Sequence, residues 1–231
     1  MSSKSQIQNT ILYEDNHLIA INKQPGQLVQ GDKTGDDPLS ELVKEYIKIA
    51  YSKPGKVYLG VIHRLDRPTS GVVVFAKTSK ALTRMNLLFS EKKTQKTYWA
   101  VVKNKPPEDQ QLLTHYLVRN PKQNKSYAYK KTVPNSKEAI LSYKIAVSLQ
   151  RYFMLEVELM TGRHHQIRSQ LSHIGCPIKG DLKYGFDRSN SDGSIHLHAR
   201  NLTFVHPVTQ QLISIDAAPP KDPIWDACLS V

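Results

Sequence analysis

An aspartate between two arginines is the first feature of this sequence that could do chemistry. Asp66 stands between Arg64 and Arg67, in a turn that the pattern places between two apolar strands. A carboxylate that a turn partly buries needs a cationic partner to stay ionised, and it could then act as a nucleophile or as a base. A structural ion pair explains the same residues and, for this motif alone, is the commoner arrangement.

The stretch 161–168, with the sequence TGRHHQIR, is the second candidate. A strand ends there, a glycine turns the chain, and a predicted helix opens with several cations. Because the start of a helix attracts anions, Arg163 and Arg168 could complete a clamp for a phosphate or a carboxylate. A solvated basic helix face explains the stretch equally well. The ring of Tyr98 could stack on a base, although a core tyrosine is the safer interpretation of that residue alone.

The nine histidines do not predict a metal site. Zinc needs three or four converging ligands, whereas His196 and His198 would form only a pair on one strand face. The sequence has neither H-E-x-x-H nor C-x-x-C, so we expect no metal ion. It also lacks the G-x-S-x-G, P-loop and G-x-G-x-x-G motifs, which removes the usual support for a hydrolase, an NTPase or a dinucleotide-binding enzyme.

The net charge favours a polyanionic partner. The 231 residues include 32 Lys and Arg against 20 Asp and Glu, which gives a formal charge of +12. Nucleic acid is the commonest partner of so basic a protein, and no basic amphipathic helix supports the rival, an anionic membrane. The longest apolar run, Val72 to Ala76, is too short to cross a bilayer. Residues 110–137 contain no Asp or Glu but interleave lysines with Tyr116, Tyr127 and Tyr129.

Short strands and a few helices must position these residues. Strands outnumber helices and many are joined too tightly for crossovers, which predicts an α/β fold of the α+β type, a mixed and mostly antiparallel sheet with flanking helices. Apolar spacing predicts helices from Asp37 to about 52, from Ser79, and from about Arg163 to Ile174. We expect a disordered tail over 1–10 and one domain over 11–231, with 110–137 as a hairpin or loop. The polar N-terminus does not resemble a signal peptide, and the two cysteines fit neither a metal-site spacing nor a disulfide framework. We therefore expect a cytoplasmic protein.

Five motifs in register resemble the RluA family of RNA pseudouridine synthases. The most specific is HRLDRPTSG at 63–71, which matches the family pattern H-R-L-D-x-x-T-S-G. The others are KTYWA at 96–100, TGRHHQIR at 161–168, GCPIKGD at 175–181 followed by Tyr184 and Gly185, and LHA at 197–199 followed by FVHP at 204–207. The related RsuA-type synthases resemble the chain less, because their motif has a glycine where this chain has His63.

The resemblance implies a pseudouridine synthase fold and an isomerase that converts specific uridines of tRNA or rRNA into pseudouridine without a metal or an organic cofactor. It implies that Asp66 is the catalytic carboxylate, whether by attack on ribose C1′ or mainly by removing a proton. Arg168 would pair with Asp66, and Tyr98 would stack on the uracil. Arg64 would enter the RNA stack where the flipped nucleotide left. Further RNA contacts would come from Arg67, Lys96, Arg163 and His165, and we expect a monomer.

Two departures from the family pattern concern the start of the chain. The family's K-P-x-G appears here as Lys23-Gln24-Pro25-Gly26, with the proline displaced by one, so we expect an altered loop and leave it out of the site. The first predicted strand begins near residue 11, which leaves no room for the S4-like RNA-binding domain of many relatives. The catalytic domain would then find its RNA with the help of the basic segment 110–137.

Two other functions remain open at this stage. A non-catalytic RNA-binding or ribosome-assembly factor on the same scaffold would explain the charge but would give Asp66 no role. A glycosidase-type hydrolase would need a second carboxylate about 5–10 Å from Asp66. Its candidates are Glu156, Glu158 and Asp181, and none of them belongs to a hydrolase motif.

Overall fold

The computed structural model describes residues 7–31 and 35–231. They fall into two compact units: the first holds the described residues of Met1–Thr94 and Arg200–Ala218, and the second holds Gln95–Ala199 and Pro219–Val231. Of the predicted tail over 1–10, residues 1–6 lie outside the described part. Residues 7–10 form a turn in which the Thr10 amide donates to the carbonyl of Ile7 (2.9 Å), and Ile7 is buried. A single domain over 11–231 stays a prediction.

The first unit combines short antiparallel strands with two helices. Its strands are β1 (Ile11–Glu14), β2 (Leu18–Lys23), β3 (Gly60–Val61), β4 (Ser70–Ala76), the end of β10 (Leu197–Val205) and β11 (Leu212–Asp216). β2 pairs with β1 and β4, β3 pairs with β4, and β10 pairs with β11. The helices are α1 (Leu39–Ala50) and α2 (Ser79–Ser90). Every residue of β4 is buried, as its continuous apolar run predicts.

The second unit is an antiparallel sheet with a helix packed on it. Its strands are β5 (Thr94–Val102), β6 (Gln110–Asn120), β7 (Lys125–Tyr129), β8 (Lys137–Ser148) and β9 (Phe153–Leu159), in the spatial order β5-β9-β8-β6-β7. The other elements are α3 (Gln166–His173), a 3-10 turn (Leu182–Tyr184) and α4 (Pro223–Leu229). Ile167 and Leu171 of α3 share a buried cluster with Leu155 and Val157 of β9. The predicted α+β class with a mostly antiparallel sheet is confirmed, and 110–137 contains a hairpin.

Element boundaries differ from the sequence prediction where local side chains decide them. Of the two apolar strands expected on either side of the Asp66 turn, the first is only the two residues of β3. Helix α2 begins at Ser79 as expected, and Thr78 caps it, because the Thr78 hydroxyl accepts from the Ala81 amide (3.2 Å). The sequence pattern does not predict α4, which is too short to show helical periodicity. Asp222 caps that helix by accepting from the amide of Ile224 (2.8 Å).

Candidate active site

Asp66 lies in a tight turn that leads into β4 of the first unit. Its carbonyl accepts a hydrogen bond from the Thr69 amide at 3.0 Å, which closes the turn. Leu65 before it and Thr69 and Ser70 after it are buried, whereas Asp66 itself is half-buried. The turn is therefore anchored in the core at both ends, and the carboxylate stays partly accessible.

A buried lysine holds this turn from the protein interior. Lys23, the last residue of β2, is fully buried, and its ammonium donates to the carbonyl oxygens of Gln24 (3.1 Å), Arg67 (3.1 Å) and Thr69 (2.5 Å). Burial lowers the pKa of Lys23 from 10.5 to about 7, while the negative charge of Asp66 acts in the opposite direction. One side chain thus ties the backbone that follows Asp66 to the end of β2.

The loop after Lys23 also docks on the Asp66 turn. The Gly26 amide donates to the Arg67 carbonyl (2.8 Å), and Nε of Arg67 donates to the Gly26 carbonyl (3.0 Å). Gly26 has a φ of +84°, a left-handed conformation that favours glycine. The structure therefore brings Lys23 and Gly26 against the turn, although the sequence analysis leaves their loop out of the site. The sequence signal that could have pointed to this contact is the lysine that ends the apolar strand β2.

We expect Lys23→Met to change how the stability of the protein depends on pH. Between about pH 7 and 10.5 the unfolded chain keeps a proton on Lys23 that the folded chain releases. In the wild type this difference makes the free energy of unfolding rise with pH, by up to about 1.4 kcal/mol per pH unit, and the variant lacks that contribution. Urea unfolding at pH 7, 8, 9 and 10 measures it, with the exposed Lys80→Met as control. Parallel curves for wild type and Lys23→Met would contradict the lowered pKa.

Both arginines beside Asp66 are exposed, and one of them has a carboxylate partner. Nη2 of Arg67 lies 2.6 Å from Oδ2 of Asp36, so the motif does contain a structural ion pair, formed with Asp36. The two side chains are 45% and 53% exposed, which leaves the guanidinium open to a phosphate as well. The RNA contacts expected of Arg64 and Arg67 stay predictions.

Arg168 is buried on α3 of the second unit and is held at two points by a carboxylate. Its Nε lies 2.7 Å from Oδ2 of Asp181 and its Nη2 lies 2.9 Å from Oδ1, and the two side chains are only 6% and 1% exposed. The guanidinium carbon also lies 5.0 Å from the centre of the Tyr184 ring. From the sequence, Asp181 is a candidate only for the second carboxylate of a hydrolase and Tyr184 has no assigned role, although both lie in matched motifs. The predicted pairing of Arg168 with Asp66 stays a prediction.

Arg163 and Arg168, the two cations of the clamp considered from the sequence, have different partners in the structure. The side-chain oxygen of Gln166 accepts from the Arg163 amide (2.9 Å), and His165 has a left-handed backbone with φ of +52°. The helix consequently begins at Gln166, later than the predicted start near Arg163. Arg163 is exposed and donates through Nε to the carbonyl of Glu138 (2.9 Å), whereas Arg168 is buried. The two cations therefore have different surroundings.

His165 is buried between a second histidine and a tyrosine. Its ring stacks on that of His164 with centroids 3.8 Å apart, and its Nδ1 lies 3.0 Å from the hydroxyl of Tyr184. Only 8% of His165 is exposed. Its observed partners therefore give it a part in fixing Tyr184, whose ring lies against Arg168. The contact with RNA expected of His165 stays a prediction.

β5 carries Lys96 and Tyr98 two residues apart, so both lie on one face of the strand. Tyr98 is half-buried and packs against the buried cluster of the second unit. Burial lowers the pKa of Lys96. A Cβ built on Gly162 would stand 3.7 Å from the Lys96 ammonium, so the KTYWA strand and the TGR turn before α3 are neighbours.

Two of the carboxylates that a glycosidase would need already bind cations. Both oxygens of Asp181 bind Arg168, and Glu156 binds Lys144 at 2.7 Å. Within residues 7–31 and 35–231, no group of three or more His, Cys, Asp and Glu side chains could hold a metal ion. None of the described helices has the length and apolar character needed to span a membrane.

Comparison with known proteins shows the family of the chain. The model of the RNA pseudouridylate synthase family matches residues 17–173. Ribosomal large subunit pseudouridine synthase C of Vibrio vulnificus is 30% identical over 223 residues, which cover 94% of this chain and 68% of the relative. tRNA pseudouridine synthase C of Vibrio cholerae is 30% identical over 238 residues, which cover 95% of this chain and 94% of the relative.

Solved structures show the same fold. Human RNA Pseudouridylate Synthase Domain Containing 4 superposes with a TM-score of 0.80 at 23% identity, over 98% of this chain and 94% of that chain. Human RNA Pseudouridylate Synthase Domain Containing 1 superposes with a TM-score of 0.70 at 22% identity, over 95% of this chain and 86% of that chain. Fold and sequence together define an isomerase that converts uridine in RNA to pseudouridine. The chain belongs to the RNA pseudouridine synthase family, in its RluA branch, which confirms the resemblance seen in the five motifs.

Proposed function

We propose that the chain isomerises specific uridines of tRNA or rRNA with Asp66 as its catalytic carboxylate. Relatives named for each kind of RNA are 30% identical to the chain, and a charge of +12 suits either polyanion. The setting of Asp66 carries the proposal: a half-buried carboxylate stands on a turn whose backbone is fixed by hydrogen bonds from the buried Nζ of Lys23. A fixed turn holds a reacting group in one orientation, which catalysis by positioning requires.

The reaction exchanges one bond of the nucleoside for another. The bond between ribose C1′ and uracil N1 breaks, the uracil turns, and C5 joins C1′. The hydrogen of C5 leaves as a proton and N1 gains one, so no electrons enter or leave. Asp66 takes part either by attacking C1′ and leaving when the new bond forms, or by removing a proton. The ring of Tyr98 stacks on the uracil and can assist the loss of the C5 proton.

Arg168 serves the same reaction as a cation that is held in a fixed position. Its two bonds to Asp181 and its contact with the Tyr184 ring fix the guanidinium, which supports a role in orientation. The resemblance assigns it to Asp66 as ion-pair partner, and that pairing remains a proposal. A cytoplasmic location and a monomeric state are also proposals.

Binding must supply the energy that extrudes the target nucleotide. Taking a base out of a stacked helix costs a few kcal/mol, and stacking on one aromatic ring returns about 1–3 kcal/mol. Phosphate contacts offset the rest and make affinity fall with salt. We assign Arg64 to the place in the stack that the flipped nucleotide leaves. The other proposed RNA contacts are Arg67, Lys96, Arg163 and His165.

Tritium release tests the proposed function. We expect the protein to release tritium from transcripts labelled at uracil C5, because that hydrogen is lost only when C5 joins C1′. Transcripts of each tRNA and of rRNA stem-loops show which class is the substrate, and mapping of the product locates the uridine. RNA from cells that lack the protein should miss the same pseudouridine. Absence of release from every tRNA and rRNA would contradict the proposal.

A further inference from the structure

The β6–β7 hairpin shows a face of tyrosines that the proposed chemistry does not use. Tyr116 of β6 lies opposite Tyr129 of β7, and Val118 lies opposite Tyr127. Opposed residues of an antiparallel pair share a face, as do alternate residues along each strand, so the three rings lie on one side of the ribbon. Tyr127 and Tyr129 are 38% and 40% exposed. We name this face, made of Tyr116, Val118, Lys125, Tyr127 and Tyr129, the tyrosine ribbon.

The opposite face of the same hairpin is buried at Leu117 and Ser126, although Arg119 on that face is exposed, so the exposed rings are not a consequence of a loosely packed segment. Leu117 and Ser126 alternate with the ribbon residues and are 4% and 2% exposed. Tyrosine is enriched at binding interfaces because its ring is apolar and its hydroxyl is polar, and here three such rings share one face. The exposed rings therefore suggest a partner that offers flat surfaces.

The charges around the tyrosine ribbon favour a polyanion. The whole segment 110–137 contains no acidic residue. Lys125 lies over the ring of Tyr127, with its ammonium 5.3 Å from the ring centre. The same segment carries exposed cations, namely Arg119, Lys122, Lys130, Lys131 and Lys137, while the exposed carboxylate of Glu138 lies opposite Tyr116 at the end of the ribbon away from the tip. Rings interleaved with cations are the arrangement by which proteins bind unpaired nucleotides, since every base has a face that can stack and every phosphate a charge.

The hairpin is fixed to the segment that carries Arg168. His164 contacts the end of the tip and the start of β7, with Nδ1 2.9 Å from Oγ of Ser126 and Nε2 3.1 Å from Oδ1 of Asn124. The amide of Ser126 donates to the hydroxyl of Tyr184 (2.8 Å), and the Tyr184 ring lies against Arg168. The tyrosine ribbon therefore keeps a constant position relative to Arg168, as a docking surface for a substrate must.

We propose that the tyrosine ribbon binds one or two unpaired bases of the RNA substrate beside the uridine that is isomerised. The proposal rests on the proposed function, because it takes the bound nucleic acid to be the substrate. Bases within a helix stack on one another, so the ribbon selects a target in a loop or a bulge. Lysines on an edge strand also prevent sheet-to-sheet association. That role would need no exposed rings, so substitution of the rings distinguishes it from binding of bases.

The test compares Tyr127→Ala/Tyr129→Ala with Tyr127→Phe/Tyr129→Phe, which keeps both rings. The probe is the tRNA or rRNA stem-loop from which the wild type releases tritium, intact or with abasic sites at the unpaired positions beside the target. We expect the Ala variant to bind the intact RNA at least about tenfold more weakly. The Phe variant should match the wild type, and all three should bind the abasic RNA equally weakly. At saturating RNA the kcat of the Ala variant should equal that of the wild type.

Two results would overturn the tyrosine ribbon as a base-binding surface. One is equal affinity of the Ala variant and the wild type for the intact RNA. The other is the same loss of affinity on intact and abasic RNA, which would indicate a change of electrostatics or structure. Thermal unfolding of both variants confirms that they fold. Failure of the proposed function has a different signature, because the wild type would then release no tritium from any RNA.

Discussion

Asp66→Asn should abolish isomerisation and leave RNA affinity almost unchanged. The amide keeps the shape of the side chain but can neither attack C1′ nor remove a proton, so we expect kcat to fall by about 10²–10⁴-fold or more. The substitution removes no phosphate contact, so the Kd for substrate RNA should stay within about threefold. Tritium release under single-turnover conditions measures the first quantity and filter binding measures the second.

Asp36→Asn is the matched control for this experiment. Asp36 is a second carboxylate of the first unit, 53% exposed, and it binds Arg67 of the same motif. Loss of an exposed ion pair costs little, so we expect this variant to retain most of the activity. Equal rates for Asp66→Asn and the wild type would remove Asp66 from the reaction. A large loss of RNA affinity in Asp66→Asn would instead assign the carboxylate to binding.

Arg168→Met should lower both stability and activity, for two separable reasons. Asp181 is 1% exposed, and each of its two carboxylate oxygens accepts a hydrogen bond from the Arg168 guanidinium. Removing one partner of a buried ion pair leaves an uncompensated charge and costs about 3–5 kcal/mol of unfolding free energy. We also expect the rate of tritium release to fall by at least about a hundredfold, because a fixed cation leaves the reaction. Urea unfolding and single-turnover kinetics measure the two effects.

A double variant separates these two effects. Arg168→Met/Asp181→Asn removes the buried charge together with its partner, so most of the lost unfolding free energy should return. Activity should not return, because no cation replaces the guanidinium. Recovery of both quantities in the double variant would show that Arg168 acts on the fold alone. An unchanged stability of the single variant would contradict the buried pair with Asp181.

The family and the enzyme class could be predicted from the sequence because the motifs that indicate them consist of residues close together in the chain. HRLDRPTSG, KTYWA and TGRHHQIR each hold their proposed site residues within a few positions. The strands also followed from local patterns, as in β4, where an unbroken apolar run became a fully buried strand. The predicted helix boundaries were wrong where a single side chain decides them, as Gln166 does at the start of α3.

The supports of the candidate site could not be predicted in the same way. Lys23 reaches the Thr69 carbonyl across 46 positions of sequence, and Arg168 finds Asp181 13 positions away, beyond the end of its own helix. No local pattern encodes such contacts, because they depend on which backbone carbonyls and carboxylates lose their water when the chain folds. A lysine or an aspartate on its own predicts a solvated surface residue.

By itself, then, the sequence determined the chemistry available to this protein: an aspartate in a specific turn, a family of isomerases and a basic surface suited to RNA. The tertiary structure alone decided which polar groups are buried and what each of them holds, including Lys23 behind the Asp66 turn and the three rings on one face of the β6–β7 hairpin. The physical reason is that burial is a property of the packed chain. A charge removed from water must find its partner wherever the fold provides one.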